Sequence, residues 1–217
     1  MKARLLLLSA FVLLCSILAG AGTIYENGAV SGDYNAYRFN NPNFVTDTFT
    51  VSGGNSTVTG LSIWILIFMT DHDPTAELVI SSQANGGGTV YFDQVVQFSE
   101  SNCYANGWGY NLCEETASLT NGPALSNGSY WITLKNGTIP SGADFGWDQN
   151  SGLGCISPGC PSQAEYRYGT ISSEAFTITG TTNGDSGTTP SNPKTSSIFL
   201  FGGGFAGLAG MLRRLIG

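Results

Sequence analysis

The sequence predicts an all-β fold, an antiparallel β-sandwich with the jelly roll as one candidate arrangement, set between an N-terminal signal helix and a C-terminal transmembrane helix. Three observations predict it. From Thr23 to Gly180 the apolar residues fall in short alternating runs, and no stripe with helical spacing is found. Those runs are rich in β-branched and aromatic residues, which fit a pleated, half-buried surface. Between them lie Asn, Ser and Pro clusters and many of the chain's 30 glycines, which suit tight turns.

The first element is residues 1–21. Lys2 and Arg4 precede an apolar run from Leu5 to Leu18, and Ala19-Gly20-Ala21 offers a small-residue cleavage site after Ala21. That order is a secretory signal peptide, because the run is too short for an anchor and ends in small residues. Cys15 lies inside the run behind Leu14, where lipidation would require a small residue. Residues 22–180 form one domain of ordinary size. Its strands read as "DTFTVSG", "TVTGLSIWILIFM", "AELVIS", "GTVYFDQVVQF", "GSYWITLKN" and "EAFTITG". The second places Leu61, Ile63, Ile65, Ile67 and Met69 on one face and Trp64, Leu66 and Phe68 on the other. Being apolar on both faces, it is expected to be a central strand covered on each side. Residues 181–193, "TTNGDSGTTPSNP", hold nothing apolar larger than proline and read as a flexible linker. The remainder, 194–217, is expected to be a transmembrane segment with a basic end.

Charge and cysteines narrow the function. All fifteen acids lie in the exported part before Lys194, against only Arg38, Lys135 and Arg167, which leaves a net charge of −12 there. Such a surface repels phosphate backbones and excludes nucleic-acid binding. Once the leader is removed, Cys103, Cys113, Cys155 and Cys160 remain, an even set that reads as disulfides in an exported chain. Three pairings exist. Local pairing is favoured, since "CISPGC" encloses a Pro-Gly turn and "CYANGWGYNLC" closes a longer Gly- and Asn-rich loop. The spacings are not those of a zinc site, and the single histidine, His72, is remote in sequence.

Candidate sites are few. One histidine and no G-x-S-x-G elbow leave no serine triad, while a carboxylate pair of the glycosidase kind stays open, so a secreted hydrolase is the third reading of function. Asp71, Asp73 and Glu77 in "TDHDPTAE" could bring oxygen ligands to Ca²⁺, although the favoured reading there is a polar turn begun by Asp73-Pro74 and no cofactor. Tyr104, Trp108, Tyr110 and Trp147 are candidate glycan-stacking rings, set against the favoured reading in which they cover the ends of the sandwich. Asn55, Asn127 and Asn136 head N-x-S/T triplets, which matter only in a host that glycosylates asparagine.

The tail decides the expected destination. Ile198 to Leu212 are fifteen residues, fewer than the roughly 20 of a comfortable span. Flanking Thr and Ser together with Leu215-Ile216 make a marginal one, and Arg213 and Arg214 would stay cytoplasmic. The stretch "SSIFLFGGGFAGLAGMLRR" resembles the PEP-CTERM sorting tail of exported bacterial proteins; Pro193 is kept, with Asn192 and Lys194 where Pro-Glu-Pro is usual. More loosely, "GSYWITLKNG", "GWDQNSG" and "ISSEAFTITG" resemble exported domains that travel with this tail. The resemblance implies a β-sandwich held in the inner membrane until an exosortase-like enzyme acts on it. A non-enzymatic structural or adhesive role at the cell surface or in the extracellular matrix is therefore expected. A carbohydrate-binding module, with exopolysaccharide as partner, is the alternative.

Overall fold

The computed structural model describes residues 21–183, apart from 34, 69–70 and 107–108. The leader helix, most of the linker, the tail with Pro193, Arg213 and Arg214, and the candidate Trp108 lie outside the described residues. Among the described residues fourteen strands follow one another: β1 Gly22–Glu26, β2 Ala36–Arg38, β3 Phe44–Val51, β4 Asn55–Phe68, β5 Thr75–Gln83, β6 Gly87–Gln97, β7 Ser99–Ala105, β8 Tyr110–Ser118, β9 Ala124–Leu125, β10 Gly128–Thr138, β11 Gly146–Asp148, β12 Ala164–Tyr166, β13 Gly169–Ile171 and β14 Phe176–Asn183. They form two antiparallel sheets. One has eight strands, built around β4: β14, with β1 beyond it, and β11, with β2 beyond it, lie along one edge, and β8 and β9 lie along the other, with β7 beyond β8; the second has six, ordered β13-β12-β3-β10-β5-β6.

β4 is the central strand of the larger sheet. It pairs with β14 and β11 along one edge and with β8 and β9 along the other. Leu61, Ile63, Ile65 and Ile67 are buried on its inner face and meet Leu78 and Ile80 of β5 and Ile132 and Leu134 of β10 in one apolar cluster. Trp64 and Leu66 alternate onto the outer face, where Leu66 is also buried. The inner face is thus fully covered, whereas on the outer face Leu66 is buried and Trp64 only partly so.

Two differences from the sequence expectation concern boundaries. β14 runs three residues past Gly180, with Thr181, Thr182 and Asn183 paired to Thr57, Ser56 and Asn55. Ladder bonds come from the backbone, so a segment without apolar side chains still extends a sheet. The second difference is the expected loop "CYANGWGYNLC", whose ends belong to the β7–β8 hairpin. Cys103 stands directly opposite Cys113 in its register.

Both local cysteine pairs are bridged, Cys103–Cys113 and Cys155–Cys160. Chain-entropy reasoning gives each short loop about 2–3 kcal/mol of stabilisation. Reduction of the folded protein is therefore expected to lower its stability by that amount per bridge. Denaturant titration with and without a thiol reductant checks this, and peptide mapping of unreduced protein that recovered a 113–155 link would overturn the pairing.

Candidate functional site

The outer face of the larger sheet carries a half-open cleft of about 340 Å³. Register explains its composition. Leu66 of β4 lies opposite Gly146 of β11, and Gly146 opposite Arg38 of β2. On the far side Phe68 lies opposite Tyr110 of β8. Because Ile65 and Trp147 point into the core, alternation turns Leu66, Gly146, Arg38 and Tyr110 outward. Gly146 is required by close approach: a β-carbon there would meet the Tyr37 backbone at 2.9 Å and Ala36 Cβ at 3.1 Å. With no side chain at that point the floor is left open, and Leu66 forms its apolar base.

Arg38 Nη2 lies 2.8 Å from Asp144 Oδ2 at the rim, with both side chains about half exposed (53% and 57%). An ion pair that exposed contributes on the order of 0–1 kcal/mol. The sheet therefore does not depend on it, and its donors and acceptors are accessible to a ligand. Neither residue is marked by sequence, since Asp144 meets Arg38 only because β11 and β2 pair. A glycosidase mechanism needs two carboxyls facing one cleft; Asp144 alone is found among the described lining residues.

The four aromatic candidates have different fates. Tyr110 lines the cleft. Tyr104 is 45% exposed and packs on Trp64 with ring centroids 5.9 Å apart. Trp147 is fully buried, stacks edge-on against Phe176 at 5.5 Å and donates its Nε1–H to the Ala175 carbonyl at 2.9 Å. It is a core residue and cannot touch a glycan. Trp108 lies outside the described residues.

The calcium candidates do not converge. Asp71 accepts a hydrogen bond from the Ser141 hydroxyl, Asp73 accepts one from the Glu100 amide at 3.1 Å, and Glu77 pairs with Lys135 at 2.7 Å. That pairing holds the Glu77 carboxyl below its ordinary value. Among the described residues the one set of three potential ligand atoms within 4.8 Å is Glu100, Cys103 and Cys113, and both cysteines are consumed by their disulfide. His72 bonds Glu100 at 2.9 Å, which raises the imidazole pKa. Burial, reinforced by Asp73 and Glu100, pushes the inward-facing Glu115 carboxyl to about 7.

Sequence reasoning missed a second group of acids, which lies where the closing loops meet the sheets. Asp47 of β3 accepts from the Thr48 and Glu174 amides, each at 2.7 Å, and from the Ser162 hydroxyl. Asn27 ties the same region together: its amide donates to the Glu174 carbonyl at 2.6 Å and to Ser173 Oγ at 3.1 Å, while its oxygen accepts from Tyr25 OH at 3.0 Å. Burial pushes Asp47 to about 7 and Asp148 to about 6. Glu174, fully buried beside both, is raised well above its ordinary value, chiefly by loss of water. No ion pair among the described residues includes any of these three acids. The cluster locks the loops around Ser162 and Glu174 onto β3 and offers no access to a substrate. One signal was available in sequence: Asp47 alternates in phase with Val45, Phe49 and Val51, all buried.

Comparison of the chain with protein-family models, with curated proteins and with solved structures found no match, so the reading of its function rests on its own residues.

Proposed function

We propose that this chain is an exported bacterial surface or matrix component with a structural or adhesive, non-enzymatic role. A signal peptide over 1–21 exports it, and a PEP-CTERM-like helical tail over 194–217 holds it in the inner membrane with Arg213 and Arg214 on the cytoplasmic side. An exosortase-like enzyme acting near Pro193 is the implied partner. The observation that carries the reading is the double sheet stapled by two local disulfides, a build suited to an oxidising compartment. Fractionation with mass spectrometry of the mature termini tests it. The expected product begins at Gly22, and surface or matrix material lacks Arg213 and Arg214. A chain that keeps Met1 and stays in the cytoplasm would sink the proposal; an intact C-terminus confined to the inner membrane would remove the processing step alone. The second reading, a carbohydrate-binding module, is favoured by the cleft bounded by Arg38, Asp144 and Tyr110.

A further inference from the structure

We propose that the cleft on the outer face of the larger sheet binds one or two neutral pyranose rings of a polysaccharide, with Arg38 and Asp144 as the polar clamp and Leu66 and Tyr110 as the apolar contact. This deepens the carbohydrate-binding reading and rests on it. A pyranose has two kinds of surface. Its hydroxyl edge both donates and accepts hydrogen bonds, and its C–H face is apolar.

The cleft offers a counterpart to each. Arg38 and Asp144 sit 2.8 Å apart at the rim, so adjacent hydroxyls of one ring reach both, one accepting from the guanidinium and its neighbour donating to the carboxylate. Such bonds, with one charged partner, are the stronger kind. Leu66 and the Tyr110 ring supply the apolar surface below and beside them. The clamp also selects for charge. Its two members sum to zero, so a uronate or sulfated sugar gains from Arg38 and is repelled by Asp144, on a domain whose three basic and fourteen acidic residues over 22–180 already leave −11. A neutral ring uses both members without repulsion. The volume of about 340 Å³ is at the small end of the roughly 300–1,000 Å³ of small-ligand sites. Half-open walls leave room for the chain to continue past the bound ring.

A second groove, between β6 and β8, is a weaker candidate although it is also lined by polar side chains. The Gln97 amide there already donates to Asp73, Pro74 and Phe98 carbonyls, and the Thr116 hydroxyl donates to Ser99 O. Two of its polar side chains are thus already engaged, whereas the ion pair at the first cleft is solvated and exchangeable.

The test uses the full-length mature protein in a non-glycosidic detergent, with saturation-transfer NMR and calorimetric titration. Probes are gluco-, manno- and galacto-hexasaccharides and an oligogalacturonate. Saturation transfer to ring protons of at least one neutral hexasaccharide is expected, with little to the oligogalacturonate. Arg38→Met and Asp144→Asn are each expected to weaken that binding by about tenfold, the loss of one charge-assisted hydrogen bond. Their melting temperatures should match the parent, because the pair is exposed. Undiminished binding in both variants, or preference for the oligogalacturonate, overturns the cleft assignment and leaves the carbohydrate-binding reading standing. No binding of any probe removes both.

Discussion

As pH rises from about 4 to about 7, the melting temperature of this protein is expected to fall. The cause is the set of buried carboxyls. In the folded chain Asp47 is pushed to about 7 by loss of water, against an ordinary 3.8. Between those values the folded state keeps a proton that the unfolded state has released, so stability declines with rising pH. The contribution is intact below the unfolded value, diminishes through the interval, and is fully lost above the folded one. For Asp47 alone it is on the order of 4 kcal/mol. Asp148, Glu174 and Glu115 are raised by the same cause and act with the same sign. His72, raised by its bond to Glu100, adds to the trend, while Glu77, held down by Lys135, opposes it. Thermal unfolding followed at pH 4.5, 6 and 8 measures the slope. Asp47→Asn should flatten that slope whatever it does to the midpoint, since asparagine does not titrate. A profile that rises toward pH 7 in the parent would falsify the account.

Trp147→Ala is expected to be the most destabilising single truncation in the larger sheet, at about 3–5 kcal/mol. The indole fills the layer against Phe176 and is fully buried. Its loss leaves a cavity and takes a hydrogen bond from the Ala175 carbonyl, whose other donor is the Trp64 amide at 3.3 Å. Urea titration at pH 5, where the buried acids are protonated, isolates the packing effect. The fraction that remains folded should bind hexasaccharide like the parent, because Trp147 points away from the cleft. A loss of under about 1 kcal/mol, within the range of an ordinary surface change, would contradict its place in the core.

Why some of this was legible in the sequence and some was not follows from where the information lies. β4 was readable because each of its faces is apolar over many residues, and β3, β5, β6, β10 and β14 because β-branched and aromatic side chains alternate along them. β11, β12 and β13 have three residues each, too short for a period to register. β7 carries Ser, Glu and Asn on mostly exposed positions, so nothing in its composition opposed a loop. Bridging of neighbouring cysteines follows from their spacing. The cleft does not, since Arg38, Leu66, Tyr110 and Asp144 are brought together only by register across four strands. Trp147 stands among the candidate stacking rings because its three-residue strand leaves no alternation to show which way it faces.

β14 has a mechanical consequence. It is the last described strand before the tail, and it lies between β1 and β4 with antiparallel ladders on both sides. Consider tension applied at Asn183 along the axis of β14. Its hydrogen bonds to both neighbours are then loaded side by side, in shear, and must yield together. A terminal strand at a sheet edge, pulled sideways, would instead peel one bond at a time. A load entering the sheet through β14 would therefore meet more resistance than one entering through an edge strand.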